Sequence, residues 1–331
     1  MARSDLILGL VKAGVTGDTT EARQIAEAIA ADERSKKHLG VADRINRVLD
    51  RPPPANVNNS RPGLRVRDGS GGILHKEPER PLDTLFVESG IQSACLEIIE
   101  EQRRADLLRA HGLEPRHRVL FCGPPGNGKT SLAEALAYEL ALPLFTVRYE
   151  AVVTSYLGET AQRLQRLFEY VRTEPCVLFF DEFDAIGKER GDTNETGEIK
   201  RVVTTLLMQL DRLPSYCVLV CATNHHELLD RAAWRRFQFV LQIDSPSEQL
   251  MLSYFSHYLQ MLGGRPGYTA KRLYDKIKPT NFSEAENFFE DIKRRLILSQ
   301  GLKDLRAVID DRVKAFLTRK QFQPTVSGKD A

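Results

Sequence analysis

No CxxC pair occurs in this chain, and its cysteines, Cys95, Cys122, Cys176, Cys217 and Cys221, stand singly and are odd in number. That pattern supports neither a disulfide framework nor a cysteine zinc site, and it fits a reducing compartment. The zinc-peptidase signature HExxH is missing, as is any nuclease constellation, so destruction of a substrate would need a separate partner. An excess of one charge is also lacking: 47 basic against 45 acidic residues leave +2. This excludes a chain built mainly to coat nucleic acid, while leaving a local basic patch open. Long apolar runs are absent too. The opening MARSDLILGLVKAG is too short and mixed for a signal peptide, and nothing approaches a membrane span, so a cytoplasmic protein is expected. What the chain does have, at 331 residues with 42% hydrophobic and 28% charged, is material for a core and a length of about two domains.

Residues 4–50 read as a small helical unit with three narrow apolar stripes: Leu6, Ile7, Leu10 and Val11; Ala22, Ile25, Ala26 and Ile29; Val41, Ile45, Val48 and Leu49. The domain bounds run 1–50 for this unit and 51–81 for a linker, where RPPPANVNNS and DGSGG carry no apolar period. From 82 to 245 short apolar runs alternate with helical patterns: RVLFC (118–122), PLFTVRY (143–149), CVLFFDE (176–182), CVLVCAT (217–223) and FVLQI (239–243). Continuous apolar strands separated by helices predict an α/β domain with a parallel sheet covered on both faces. Residues 246–320 read as an all-α domain, and 321–331 as a tail. Ser245-Pro246-Ser247-Glu248 predicts a helix capped at Ser245, and Ser283-Glu284-Ala285-Glu286 predicts a second capping box.

Three motifs carry chemistry. Gly123-Pro124-Pro125-Gly126-Asn127-Gly128-Lys129-Thr130, followed by Ser131 in TSLAEALAYEL, lies between a strand and a helix and matches the pattern of a phosphate-binding loop. Backbone N–H groups and a helix N-terminus favour an anion there. Lys129 is placed to reach the β- and γ-phosphates of ATP, and the Thr130 hydroxyl to ligate Mg²⁺. The strand VLFFDE ends in two acids, Asp181 to hold Mg²⁺ and Glu182 to polarise an attacking water as general base. A third strand runs into Asn224, an amide able to hydrogen-bond both the γ-phosphate and that water.

GPPGNGKT, VLFFDEFDAIG and CATNHHELLDRAAWRRF, in this order and spacing, resemble the AAA proper clade of the AAA+ ATPases over about residues 82–300. The resemblance implies a P-loop AAA+ module with sheet order 5-1-4-3-2, a helical lid, and a ring, usually a hexamer. It also implies ATP sites at subunit junctions, completed by arginines from a neighbour. Those arginines map onto Arg235 and Arg236; the family's usual Pro-Gly pair is missing here and Gln238 replaces its aspartate, so the choice between the two stays open. The family's pore loop, which grips a threaded polypeptide, maps onto Tyr156-Leu157-Gly158-Glu159, with a second loop at 191–198. Ser283-Glu284-Ala285 falls at the ribose step of the lid, and Leu85 to Ile91 on the adenine side.

The reading that results is an ATP-driven remodeller or unfoldase, similar to stand-alone bacterial AAA ATPases. Its partners would be its own copies, a protein substrate and, by analogy, a separately encoded protease. Two rivals stand beside it: a DNA-acting loader using the basic stretch RRADLLRAHGLEPRHR (103–118), and a switch in which ATP only controls assembly.

Overall fold

Branched and aromatic runs pair into one sheet because, buried on both faces, they have no polar side to present to water. The computed structural model describes residues 6, 19–35, 73–148, 157–184, 197–229, 231–263, 266–299 and 304–322. The strands are β1 (Ile73–Lys76), β2 (Arg118–Cys122), β3 (Leu144–Arg148), β4 (Cys176–Asp181), β5 (Cys217–Thr223) and β6 (Phe239–Gln242). They lie in the order β1-β3-β4-β5-β2-β6, and every pair is parallel except β1 with β3. Leaving β1 aside, this is the expected 5-1-4-3-2. The addition is β1, which pairs Ile73 with Val147 and Lys76 with Leu144 inside the stretch 51–81 expected to be linker. Four residues beside a glycine run are too few to show a period, and only the free edge of β3 makes them a strand.

The helices are α1 (Thr19–Ser35), α2 (Ser89–Arg103), α3 (Ala105–Ala110), α4 (Lys129–Leu140), α5 (Leu157–Val171), α6 (Gly197–Asp211), α7 (Arg231–Trp234), α8 (Glu248–Leu262), α9 (Ala270–Ile277), α10 (Phe282–Ser299) and α11 (Leu305–Phe322). Alternate strand residues bury into two cores. Val119, Phe121, Val218 and Val220 meet Ile98 of α2 and Leu132 and Leu136 of α4. Leu120, Leu178 and Leu219 meet Phe168 of α5 and Leu206 and Leu210 of α6. All five cysteines are free and buried. Burial pushes the Cys95 thiol up to about 12 and Cys122 to about 11, so neither serves as a thiolate at neutral pH.

A third core, with Phe255, Leu273, Phe289, Ile292 and Ile309, belongs to α8–α11, the all-α unit expected after the sheet. Its caps sit two residues from where the sequence suggests. Ser247, not Ser245, accepts the Leu250 N–H (3.3 Å) at the start of α8. At α10 the cap is Asn281, not Ser283: its Oδ1 accepts the Glu284 N–H at 2.9 Å, while the Glu284 carboxylate accepts the Thr280 N–H at 2.8 Å. Serine before proline and serine before glutamate are both good caps in isolation; packing chooses between near neighbours. Of the N-terminal stripes, Ile25, Ala26 and Ile29 lie half-buried on α1, and the stripes at 7–11 and 41–49 fall outside the described residues.

His117 enters β2 buried, with Nδ1 3.3 Å from the Pro115 carbonyl. Burial, with the Arg118 charge adding to it, holds its pKa below the ordinary 6.5, against backbone hydrogen bonds at Pro115 and Leu213 that raise it. The folded chain therefore takes up this proton less readily than the unfolded chain. Stability from a neutral His117 is present above pH 6.5 and is lost as pH falls below it. Thermal melting followed from neutral pH downward should show a falling Tm, and His117→Gln should flatten that slope; an unchanged slope would refute the assignment.

Candidate nucleotide site

The loop after β2 is held by both of its neighbours. Gly123 has φ 140°, and a Cβ there would stand 2.0 Å from the Ile243 carbonyl oxygen, so only glycine lets β2 turn beside β6. Gly126 has φ +81°, and a Cβ would meet the Asn281 side chain at 2.8 Å. The helical domain is bonded to this same loop: Ser283 N–H donates to the Gly126 carbonyl at 3.0 Å, and Asn281 Nδ2 to that of Pro125 at 3.4 Å. A shift of the loop is thus passed directly to the first turn of α10.

Lys129, at the start of α4, is 8% exposed. Its Nζ donates to the carbonyls of Gly123 (2.6 Å) and Pro124 (3.0 Å) and to Asn224 Oδ1 (2.6 Å). Burial lowers its pKa, and the charges of Asp181 and Asp184 oppose that shift. Thr130 Oγ1 lies 3.4 Å from Asp181 Oδ2, so the first turn of α4 and the end of β4 bring these two together. Asp181 Oδ1 accepts the Glu182 N–H at 3.0 Å, and the Phe183 N–H goes to the Ala222 carbonyl at 2.8 Å. That turn forces Glu182 to φ 54°, a left-handed backbone uncommon for a side chain of its size. Its side chain is exposed and lines the cavity above the loop.

That cavity has a volume of about 600 Å³. Lys129, Thr130, Asp181, Glu182 and Asn224 line one end. Leu85, Phe86, Val87, Tyr254, Tyr258 and Phe282 make the other. Phe86 bridges to the helical domain, edge to face with Tyr254 at 5.1 Å and beside His257 at 5.5 Å. The shape is a charged end joined to an aromatic slot, as a nucleotide requires. Of the segment 85–91 expected on the adenine side, Ile91 packs into the core beneath the sheet instead.

Several site residues escape the sequence reading. Asp184 is buried and accepts from Thr223 Oγ1 (3.1 Å) and the Asn224 N–H (3.3 Å), which fixes the strand end that carries Asn224. Its signal in the sequence is a third acid two residues after the pair. Glu134, buried in α4, holds Lys76 at 2.8 Å and the Glu79 N–H at 3.2 Å. This strap carries Arg80 to the cavity, where Nη1 donates to Ser131 Oγ at 3.2 Å. A carboxylate inside the apolar AEALA run was the only hint.

The two arginines differ. Ala233 and Phe237 are buried in the core below α6 and clamp the segment between them. Arg236 Nε donates to Asp211 Oδ2 (3.0 Å) and to the Leu207 carbonyl (3.3 Å), and Nη1 reaches the Ala232 carbonyl. Arg235 is exposed, and its guanidinium makes no hydrogen bond or ion pair among the described residues. Neither arginine lines the cavity of its own chain. Gln238 Oε1 accepts the N–H groups of His117 (3.0 Å) and Arg118 (3.1 Å). Leu157 opens α5, while Tyr156 and residues 191–196 lie outside the described residues.

The family model "ATPase family associated with various cellular activities (AAA)" matches residues 119–245. An AAA family ATPase of Sinorhizobium fredii, y4kL, is 38% identical over 255 residues, covering 76% of this chain and 77% of that protein. This chain belongs to the AAA family of ATPases. The peroxisomal ATPase pex6 of Schizosaccharomyces pombe is 40% identical over 138 residues, but those span 40% of this chain and only 15% of pex6. Among solved structures, the FIGL-1 AAA domain in complex with ADP superposes with a TM-score of 0.57 at 25% identity, over 78% of this chain and 89% of that one. As an AAA ATPase, the chain binds nucleotide and hydrolyses ATP.

Proposed function

We propose that this AAA ATPase works as a ring, hydrolysing each ATP at a junction between two copies and using the stroke to remodel a protein substrate. The observation that carries the ring is Arg235, an exposed guanidinium without a partner among the described residues that does not line its own cavity. Transfer of a phosphoryl group spreads charge over several oxygens, and an arginine supplied by a neighbour suits it. Within one copy, the Lys129 ammonium exchanges the loop carbonyls for the β- and γ-phosphates. The Thr130 hydroxyl and Asp181 carboxylate are hard oxygen donors facing each other, a set that suits Mg²⁺. Bound there, Mg²⁺ neutralises phosphate charge. Glu182 accepts the proton of the attacking water, and Asn224, steadied by Asp184, orients that water against the γ-phosphate. Leu85, Phe86 and Tyr258 receive the base. Because Asn281 and Ser283 hold the phosphate loop, loss of the γ-phosphate reaches the lid through two hydrogen bonds.

The DNA-loader reading loses its main support. Arg103 pairs with Glu139, Arg104 with Glu100, Arg109 with Asp106 and Glu114, Arg116 with Glu97 and Glu101, and Arg118 with Asp211. A stripe so compensated has little net field to offer phosphates. Remodelling rests on Tyr156, at the position of the family's polypeptide-gripping loop between β3 and α5. Tyr156→Ala should leave ATP turnover within about twofold of wild type while abolishing unfolding of a captured protein, since it removes grip and not chemistry. Paired ATPase and unfolding assays decide it, and a variant that unfolds its substrate at the wild-type rate would refute threading. Ring formation itself predicts specific activity that rises with protein concentration; turnover by a demonstrable monomer would exclude it.

A further inference from the structure

A second cavity, of about 420 Å³, opens between α10 and α11. The first turns of α10 separate it from the nucleotide cavity: Phe282, Ser283 and Glu286 line that one, and Glu284, Asn287 and Phe288 line this one. Four cations, Arg294, Arg312, Arg319 and Lys320, face two carboxylates, Glu284 and Asp291. Most of these charges already have partners. Asp291 lies 3.4 Å from Arg294 and 3.5 Å from Arg319, and Arg294 also meets Glu290 outside the cavity. Lys320 Nζ donates to the carbonyls of Lys278 (2.7 Å) and Ile277 (3.3 Å), and Glu284 holds the Thr280 N–H.

Arg312 is the exception. It is half-buried, its Nε is shielded from water with no hydrogen-bond partner, and its guanidinium makes no hydrogen bond or ion pair among the described residues. Arg118 and Arg172 also have an unpartnered Nε, but each bonds through its other nitrogens, to Asp211 and to Gln209. A guanidinium drawn partly out of water with nothing to bond carries a cost that an arriving anion removes. The cavity is far roomier than one inorganic ion needs, and its size suits an organic ligand. Part of its wall is apolar: the Phe288 and Phe316 rings meet edge to face at 5.7 Å, next to Ala315.

We propose that this cavity is a docking site for an acidic peptide segment of a partner protein. A carboxylate of the segment pairs with the Arg312 fork, with Arg294, Arg319 and Lys320 supplying the surrounding positive field. An adjacent apolar side chain lies against Phe288 and Phe316. Carboxylates are the matching charge because the cavity's cations outnumber its acids, and the cation among them that has no partner among the described residues, Arg312, is planar and bidentate.

The test uses the full chain saturated with ADP and a fluorescent peptide of alternating glutamate and leucine, followed by anisotropy. The peptide should bind without being displaced by ADP, and the counterpart with lysine for glutamate should not bind. Arg312→Gln should weaken binding at least about tenfold, the loss of one charged, partly desolvated contact. Arg312→Leu should abolish binding while Tm holds or rises, because an unpaired charge is removed; a merely structural arginine would lower Tm instead. Ala315→Glu supplies a carboxylate from within and should block the peptide with the fold intact. The proposal fails if Arg312→Gln or Ala315→Glu binds the peptide as wild type does, if the lysine peptide binds equally, or if ADP displaces the probe. It fails also if inorganic phosphate alone binds as tightly through Arg312, which would make this a simple ion site.

Discussion

Glu182→Gln is expected to bind ATP with wild-type affinity and to lose turnover by about 10²–10⁴-fold, the usual weight of a positioned general base. Elimination among the acids supports the expectation. Asp181 is occupied, one oxygen by the Glu182 N–H and the other facing Thr130. Asp184 is buried and committed to Thr223 and Asn224. Glu286 lines the cavity from the lid, one turn beyond Phe282 of the aromatic slot on the same helix. Among the described residues only Glu182 brings an exposed carboxylate to the phosphate end, and it does so from a left-handed backbone that costs about 1–2 kcal/mol. Glutamine keeps the size and the hydrogen-bonding edge, and should bear that backbone as well as glutamate does, so the fold is unaffected. Nucleotide titration beside a phosphate-release assay separates the two effects. Normal turnover by this variant would remove Glu182 from the mechanism, and lost ATP binding would mark it as part of the binding site.

The phosphate loop and the two acids are legible in the sequence because each is contiguous: one strand end and one turn contain all the residues that must act together. The order of the five parallel strands follows from the family resemblance, and the sheet has that order. What the sequence conceals is contact between distant segments. The strap that brings Arg80 to Ser131 depends on Glu134 in another element, and nothing local to residues 76–82 announces it. The strand β1 exists because β3 has an open edge, not because ILHK is a strong strand former. The caps of α8 and α10 miss by two residues for a related reason: several serines and an asparagine can serve, and the docking of the lid on the phosphate loop selects Asn281. The same limit applies to Arg235 and Arg236, adjacent in sequence and alike in chemistry. Only the position of Asp211 and of two carbonyl groups tells them apart.

That difference gives the second large effect. Arg235→Ala should lower turnover by about 10³-fold or more, as loss of a trans-acting arginine does, with ATP binding and Tm unchanged. Its guanidinium holds nothing among the described residues, so truncation leaves none of their buried groups unpaired. Arg236→Ala should behave in the opposite way. It strips Asp211 of its closer cation and leaves two carbonyl groups with fewer donors, costing about 1 kcal/mol in a half-exposed setting and lowering Tm by a few degrees. Turnover per folded site should change far less. Mixing sharpens the test. A ring of Arg235→Ala copies has an intact Glu182 at every site but no arginine arriving from the neighbour. A ring of Glu182→Gln copies supplies the arginine but lacks the base. Wherever a Glu182→Gln copy presents Arg235 to an Arg235→Ala copy, one site is whole, and the mixture should hydrolyse ATP although neither parent does. Turnover that stays absent across all mixing ratios, with mixed assembly verified, would show that Arg235 does not act across the junction. A larger catalytic loss in Arg236→Ala than in Arg235→Ala would reverse the assignment of the pair.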